Sequence, residues 1–217
     1  MSIEITGFNW VPDFARGYVR DLRPRWACEE IGLAYTTRLL SPVPPKPAEY
    51  FHEQPWGQVP ALHDGDVQLF ESGAILLHLG ERDERLLPRA AQARATAIAW
   101  LFAALNSVEP WTMELANVEI FSAKEEWAKL RRQSLVADTG KRLDRLQEAL
   151  GEREWLGEAF SVADIAMVTV LRNADHEDLM SSRPRLADYV ARGMARPAFQ
   201  RAIAAQLADF QPEPVAA

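Results

Sequence analysis

Cysteine is nearly absent from this sequence of 217 residues, which contains only Cys28. One thiol per chain excludes an intramolecular disulfide framework and a cysteine-rich metal site, and this usage fits a reducing cytosol. The N-terminus lacks the basic and then apolar run of a secretory signal. No apolar stretch reaches the ~20 residues that span a bilayer. We therefore expect a cytoplasmic protein.

Positive charge is also in short supply. The chain has 24 Lys and Arg against 31 Asp and Glu, which gives a net charge of −7. Nucleic acids and anionic membranes attract clustered Lys and Arg, so both classes of partner are disfavoured. Hydrophobic residues make up 48% of the chain, which is typical of a protein with a packed core. At ~150 residues per domain, the length allows one large domain or two small ones.

Metal and redox motifs are missing as well. The four histidines, one of them in the acidic run 175–178, are scattered without metal-ligand spacing, so we expect no metal and a solvated turn at that run. No Cys-x-x-Cys pair is present, which leaves dithiol redox chemistry unsupported. Cys28 falls in the middle of the first predicted helix, where a buried structural thiol is expected.

The first 82 residues mix strand and helix signals. Turn residues and apolar periodicity predict the following elements: a strand over 3–8, a helix over 13–31 that Pro24 kinks or restarts, a strand over 35–40, a proline-rich loop over 41–47, a hairpin of 59–62 with 67–70, and a helix from 71 to 80. With a weak helix after the proline loop, the order is β-α-β-α-β-β-α. This order is that of a thioredoxin-like domain.

Only helical signals follow Pro88. The predicted helices span 92–108, 122–150, 161–171, 184–194 and 197–207, and Pro110 is expected to interrupt the first of them. Because residues 92–108 are apolar almost all round, we expect that helix to be the central one. The prediction is therefore two domains, α/β over 1–82 and all-α over 83–217.

Two motifs carry binding chemistry. In Gln58-Val59-Pro60-Ala61-Leu62, the proline stands at a strand entrance, either as an ordinary edge-strand residue or as a cis bond that frees the Val59 main chain for pairing with an extended peptide. In the segment from Phe70 to Ile75, Ser72 begins a helix. Its hydroxyl, with the helix dipole, forms an anion site, or else it is simply the N-cap. Glu71 beside it suits an ammonium group.

A third motif is structural. Ser161 and Asp164 in Phe160-Ser161-Val162-Ala163-Asp164-Ile165 have the spacing of a capping box, with Asp in place of the usual Glu or Gln. We assign these residues no catalytic role.

Four segments in this order resemble the cytosolic glutathione transferase superfamily: WACEEIGLAY at 26–35, QPWGQVPAL at 54–62, FESGAILLHLGER at 70–82 and WLGEAFSVADI at 155–165. The resemblance implies a homodimer that takes glutathione as co-substrate in its first domain and an apolar electrophile in its helical domain, with no metal. It also implies detoxifying transfer of a glutathione thiolate. Glutathione-dependent peroxide reduction or thiolysis, and a binding or scaffold protein without turnover, remain as alternatives.

Residue roles follow from the resemblance. Val59 would pair with the cysteinyl part of glutathione, and Pro60 would hold the loop in the cis form. Glu71 and Ser72 would bind the γ-glutamyl end. The glycyl carboxylate would meet Gln58, with Lys46 as a weaker candidate.

The thiol-activating group departs from the family pattern, since no Ser or Cys follows the first strand before Cys28. Counting back from Trp26 selects Tyr18, whereas counting forward from Gly7 selects residues 9–11. Our order of candidates is Tyr18, then Arg16, then Asn9. The alternative for Tyr18 is a core aromatic of the first predicted helix. For the second substrate, the resemblance points to Asn106 as a polar contact. Trp111 either lines an apolar pocket or belongs to the packed core.

Overall fold

A computed structural model describes residues 3–174 and 179–213, so the acidic run 175–178 lies outside the described residues. The chain divides into two compact units. The first joins the residues up to Leu86 with those from Arg196 onward, and the second spans Leu87–Ala195. The predicted division at residues 82 and 83 thus differs from these units mainly at the C-terminus, since the last helix belongs with the first unit.

The first unit contains a four-stranded sheet with helices. Its elements up to residue 80 are β1 (Ile3–Phe8), α1 (Leu22–Ile31), β2 (Tyr35–Leu40), α2 (Tyr50–Glu53), β3 (Ala61–Asp64), β4 (Val67–Phe70) and α3 (Ser72–Gly80). The strand order is β2-β1-β3-β4, with β1 and β2 parallel and the other pairs antiparallel. This confirms the predicted β-α-β-α-β-β-α order and the thioredoxin-like class.

The helix predicted from residue 13 begins nine residues later. A short 3-10 turn occupies Asp13–Ala15, and Gly17 has a φ of 81°, which the right-handed helix does not allow. Pro24 lies in the first turn of α1, where its missing N–H removes no helical bond. Residues 9–21 are therefore a long connection between β1 and α1.

The second unit is helical throughout its described residues. Its elements are α4 (Ala91–Phe102), α5 (Glu109–Ala116), α6 (Glu126–Leu150), α7 (Val162–Leu171) and α8 (Pro184–Met194). Ser161 caps α7, and Asp164 accepts from the Ser161 N–H at 2.9 Å, which confirms the predicted capping box.

Two details of this unit were predicted wrongly. Every residue of α7 is buried, so α7 is the central helix, whereas Phe102 of α4 is half exposed. In addition, Pro110 does not interrupt the helical path. Wider π-helical turns over Ala103–Val108 and Asn117–Phe121 carry it from α4 through α5, and they accommodate a proline at the start of α5.

A final helix, α9 (Pro197–Ala208), packs on α1. The ring centroids of Trp26 and Phe199 are 4.9 Å apart, edge to face. Arg196 Nε donates to Glu30 at 2.6 Å, and Arg201 Nε to Glu29 at 2.6 Å. Across residues 3–174 and 179–213, no helix is both long and apolar enough to cross a membrane.

Candidate functional site

Three chain segments meet at one end of the sheet. Ala61, the first residue of β3, pairs with Phe70, the last residue of β4, so residues 59–60 and 71–72 flank the same end of that hairpin. β1 runs antiparallel to β3, so its C-terminal end lies at this edge too, followed by Asn9. The structure thus brings together Asn9, the Val59–Pro60 pair and the Glu71–Ser72 pair.

Val59 presents its main chain at this edge. The Val59–Pro60 bond is cis, as the resemblance implied. The Val59 side chain is buried with Tyr50 and Ala61, and Phe8 and Val19 pack against this cluster. Within the described part of the chain, neither the N–H nor the C=O of Val59 has a hydrogen-bond partner. These two groups are available to an extended peptide.

Ser72 is the first residue of α3 and is 5% exposed. The guanidinium of Arg23, itself 2% exposed, donates from Nη1 to Ser72 Oγ over 3.0 Å. Because the Ser72 oxygen accepts this bond, its own proton is left to donate to an anion. The first N–H groups of α3 also lack partners within the helix, and the Arg23 cation adds to their positive potential.

Sequence reasoning missed Arg23 and misjudged the alternative for Ser72. The cap position of α3 is Glu71, and Ser72 makes no capping bond. The sequence has no local signal for the role of Arg23, because the burial of residues 22–28 is visible only in the structure. A buried cation needs a polar partner, but the partner lies 49 positions away in sequence.

Glu71 has an unusual backbone. Its φ is 68°, and no other non-glycine residue of the described ranges has a positive φ. Such a conformation costs about 1–3 kcal/mol, and residues that adopt it cluster at functional sites. The Glu71 side chain is exposed next to Ser72. An exposed carboxylate beside an anion site matches a ligand that carries both an ammonium and a carboxylate.

Gln58 and Lys46 lie at the same edge, but the Gln58 side chain is exposed whereas the Lys46 ammonium is hydrogen-bonded. The Gln58 side chain is exposed, and its main-chain N–H donates to Gln54 Oε1 at 3.3 Å. Lys46 Nζ donates to the Ser41 carbonyl at 2.6 Å and lies 4.8 Å from the ring centroid of Phe8. Burial lowers the pKa of Lys46. Its ammonium is therefore partly committed to its own loop.

The three thiol-activating candidates differ in their distance along the chain from β1 and in the partners that they already have. Asn9 has its main chain fixed by β2 and by the C-terminal segment, and its Oδ1 is buried without a hydrogen-bond partner among the described residues. Arg16 pairs with Asp13, with Nε and Oδ1 3.2 Å apart. Tyr18 is 45% exposed and lies in the connection that precedes α1. Only Asn9 directly follows β1 at the edge where Val59 lies.

Cys28 is buried in α1, as expected. Burial raises the pKa of its thiol to about 12. Since the thiolate is the nucleophile, burial and the raised pKa both disfavour Cys28 as a nucleophile.

Asn106 and Trp111 both belong to the second unit. Asn106 is exposed within the π-helical turn that follows α4. Trp111 is half buried on α5, and the guanidinium carbon of Arg142 on α6 lies 4.7 Å from the centroid of its indole. The Trp111 ring therefore packs against the Arg142 side chain of α6.

The chain is similar in sequence to glutathione S-transferases and to a disulfide-bond oxidoreductase. The family model for the glutathione S-transferase N-terminal domain matches residues 14–81. Glutathione S-transferase F14 of Arabidopsis thaliana is 32% identical over 165 residues, which are 69% of this chain and 64% of that protein. The match thus spans less than two thirds of that relative. Disulfide-bond oxidoreductase YfcG of Escherichia coli is 28% identical over 171 residues, 74% of this chain and 79% of that protein.

Solved structures agree with these matches. A crystal structure of a glutathione transferase from Burkholderia graminis, with two glutathione molecules bound per subunit, superposes with a TM-score of 0.79. It is 26% identical, and the alignment covers 93% of this chain and 87% of that one.

Proposed function

This chain belongs to the glutathione transferase superfamily, and on that premise we propose that it binds glutathione and transfers the glutathione sulfur to an electrophilic small molecule. The observation that supports the proposal most directly is the unpaired Val59 main chain at the sheet edge that also holds Glu71 and Ser72. An extended backbone and a zwitterionic end are the two features of glutathione that such an edge would recognise.

In the proposed complex, each part of glutathione meets a different group. The cysteinyl N–H and C=O pair with the Val59 main chain in the manner of an added strand. The γ-glutamyl carboxylate accepts from Ser72 Oγ and from the first N–H groups of α3, while Glu71 receives the ammonium. Gln58 is exposed and free to reach the glycyl carboxylate, and Lys46 is a second choice because it already donates to Ser41.

Catalysis requires that the bound thiol ionise. A free thiol has a pKa of ~8.5, and lowering it by ~2 units takes ~2.7 kcal/mol of preferential thiolate stabilisation. We favour the Asn9 carboxamide as a hydrogen-bond donor to sulfur, because Asn9 follows β1 beside Val59. Tyr18 is the second choice. Arg16 is third, since its guanidinium already pairs with Asp13.

The chemical step then needs no covalent enzyme intermediate. The thiolate lone pair forms a sulfur–carbon bond to the electrophile. In a substitution, the leaving group departs with the electron pair of the broken bond. In an addition, the electron pair of the attacked double bond moves into the conjugated system. The enzyme contributes position and thiolate stabilisation. We propose that the second substrate is apolar, since the second unit exposes Phe102 on α4 and Met113 on α5. In this proposal Asn106, which is exposed, is a polar contact for the substrate, and Trp111 is a packing residue. Homodimerisation and a cytoplasmic, detoxifying role complete the proposal.

Retention on immobilised glutathione, followed by conjugation of a model aryl halide, tests this function. We expect both retention and conjugation. Retention without conjugation would favour a binding protein that lacks turnover, and loss of both would remove the glutathione assignment.

Ser72→Ala tests the anion site separately. We expect glutathione binding to weaken by ~1–3 kcal/mol, because a charged ligand group loses its hydrogen bond, which is about 5- to 150-fold in Kd. Ser107→Ala, on an exposed position of the second unit, is the matched control. Equal affinities for the two variants, measured by calorimetry, would argue against the γ-glutamyl site.

Titration of the bound thiol by its ultraviolet absorbance tests the donor to sulfur. Asn9→Ala should raise the pKa of bound glutathione, while Tyr18→Phe and Arg16→Leu should leave it near the wild-type value. A raised pKa of bound glutathione in Tyr18→Phe or Arg16→Leu, with no change in Asn9→Ala, would assign the donor role to Tyr18 or Arg16.

Disulfide reduction is a second candidate function, favoured by the match to disulfide-bond oxidoreductase YfcG. A bound glutathione thiolate would attack the substrate disulfide, release one thiol and form a mixed disulfide. A second glutathione would then resolve it, so that two glutathiones yield glutathione disulfide and two thiols. Since Cys28 is buried, this route uses no protein thiol. Cys28→Ala should therefore retain any reductase activity in full.

A further inference from the structure

Thr6 and Tyr50 are two buried hydroxyl side chains behind the Val59–Pro60 loop. Thr6 lies on β1 and is 0% exposed, and Tyr50 begins α2 and is 2% exposed. Their hydroxyl oxygens are 2.9 Å apart. Neither residue belongs to the groups assigned above to glutathione.

The direction of each hydrogen bond follows from the atoms involved. The Tyr50 oxygen lies 2.6 Å from the carbonyl oxygen of Gln58, which can only accept, so the phenol donates there. Thr6 must then donate to Tyr50, and the Thr6 oxygen accepts from the Ala61 N–H at 2.6 Å. A longer approach of 3.4 Å from Thr6 to the Ala61 carbonyl is the weaker option for its proton. Burial raises the pKa of Tyr50, which keeps the phenol a donor.

These bonds form one continuous chain from the Ala61 N–H through Thr6 and Tyr50 to the Gln58 carbonyl, hereafter the hydroxyl relay. Its two ends are the peptide groups on either side of the Val59–Pro60 pair. In a trans peptide, the C=O and the N–H point in opposite directions. Because the Gln58 carbonyl points inward to Tyr50, the N–H of Val59 in the same trans peptide points away from Tyr50.

The peptide group at the other end of the hydroxyl relay is oriented in the same way. The Ala61 N–H points to Thr6, so the carbonyl of Pro60 in that peptide points away from Thr6. The relay therefore fixes the rotation of both peptide planes from inside the core. Gln54, 3% exposed, adds a second constraint, since its Oε1 accepts from the N–H groups of Trp56 at 2.7 Å and Gln58 at 3.3 Å.

We propose that Thr6 and Tyr50 are positioning residues: they hold the two peptide planes that flank the Val59–Pro60 pair, and with them the Val59 N–H, in the orientation that pairs with the cysteinyl backbone of glutathione. This rests on the proposed function, because it assigns no separate ligand. Neither side chain touches the ligand. Each acts through the peptide plane that it holds.

Calorimetric titration of glutathione into relay variants tests the proposal. Thr6→Val keeps the shape of the side chain and removes the hydroxyl, and Tyr50→Phe keeps the ring. Each should raise the Kd about tenfold, the value of one hydrogen bond of ordinary strength. Thr6→Ser restores the hydroxyl and should stay within about twofold of wild type. The double variant should bind no more weakly than the weaker single variant, since either change breaks the same relay.

Two controls separate positioning from general stability. Ile5→Val removes one buried methyl group beside Thr6 on β1, and Tyr35→Phe removes a hydroxyl from β2 outside the relay. Both should bind glutathione like wild type. Because Thr6→Val and Tyr50→Phe break the relay at different links, either folded variant is sufficient for the test.

Each remaining outcome overturns something specific. Wild-type protein that does not bind glutathione would overturn the proposed function and, with it, the positioning role. Wild-type binding with unchanged affinity in the relay variants would overturn the positioning role alone. An equal loss in Ile5→Val, or no rescue by Thr6→Ser, would reduce Thr6 and Tyr50 to ordinary core residues.

Discussion

Glu71 combines a strained backbone angle, which lowers the stability of the fold, with a place in the proposed glutathione site. Its φ of 68° disfavours any residue with a Cβ, yet it places the carboxylate beside Ser72. Glycine would relieve the strain of about 1–3 kcal/mol, although its larger unfolded-state entropy would cancel about 0.5–1 kcal/mol. We therefore interpret Glu71 as retained for ligand contact.

Glu71→Gly should raise the free energy of unfolding by about 1 kcal/mol while weakening glutathione binding. Chemical denaturation and calorimetry on the same preparation measure the two effects. Glu71→Ala is the matched control, because it removes the carboxylate and keeps the strained angle, so it should weaken binding without the gain in stability. A Glu71→Gly protein that binds like wild type would show that the carboxylate has no role.

At this scale, the sequence predicted the residues whose signals are local. Pro60 at a strand entrance and Ser72 at a strand-to-helix junction are recognisable from their neighbours alone. Arg23, Thr6 and Tyr50 are not, because each acts through a partner distant in sequence: Arg23 through Ser72, and Thr6 and Tyr50 through each other and the loop. A single sequence does not encode such pairs in any pattern that spacing reveals.

Among the elements, α7 is held at its start by one buried side chain, Asp164. Asp164 is fully buried and accepts from the N–H groups of Leu156 and Ser161, each at 2.9 Å, and from the Tyr189 hydroxyl at 2.9 Å. The bonds tie the start of the central helix to the preceding loop and to α8. The sequence predicted the cap from its spacing, but not the reach to Tyr189.

Asp164→Ala should lower the free energy of unfolding by about 3 kcal/mol or more, since the buried donors of Leu156, Ser161 and Tyr189 lose their acceptor. Asp164→Asn keeps one acceptor oxygen and should lose less. Urea denaturation of both, with Asp138→Ala on the surface of α6 as control, checks the order. An alanine variant as stable as the control would contradict the role of the cap.

The contact between α1 and α9 contains a buried carboxylate. Asp21 accepts from Arg25 Nε at 2.8 Å and from Gln206 Nε2 at 2.7 Å, while Arg25 also meets Asp209 at 2.7 Å. Despite these partners, burial raises the pKa of Asp21 from 3.8 to about 6. The folded protein therefore holds this proton more tightly than the unfolded chain does.

The sign of the pH dependence follows from that difference. Between pH values of about 4 and 6, the folded state binds more protons at Asp21 than the unfolded state, so stability falls as the pH rises through this window. Relative to Asp21→Asn, the wild type should lose up to about 3 kcal/mol between pH 4 and pH 7. Parallel denaturation curves across this range measure the difference. A constant difference would contradict the raised pKa of Asp21.

Element boundaries were hardest to predict where the backbone changes type without a strong sequence signal. Residues 13–21 have apolar residues at helical spacing, but the positive φ of Gly17 prevents a continuous helix there. Pro110 is a helix breaker by rule, yet a π-helical turn accommodates it. α7 is recognisable as central only once the burial of its whole length is known.

At the scale of the whole molecule, the chain returns to its starting unit. Residues from Arg196 onward join the first unit, where Phe199 packs on Trp26 and two arginines of the segment 196–201 pair with Glu29 and Glu30. The fold class, an α/β part followed by a helical part, was predictable from the switch to helical patterns after residue 88. The return of α9 was not, because helical periodicity does not reveal which unit covers the apolar face.

A crystal structure of the protein with glutathione bound would test the proposed binding mode at Val59 and Ser72. We predict that the cysteinyl N–H and C=O of glutathione pair with the Val59 main chain, and that the γ-glutamyl carboxylate lies within hydrogen-bond distance of Ser72 Oγ. Glutathione bound elsewhere, or a Val59 main chain already paired with another part of the protein, would contradict the account.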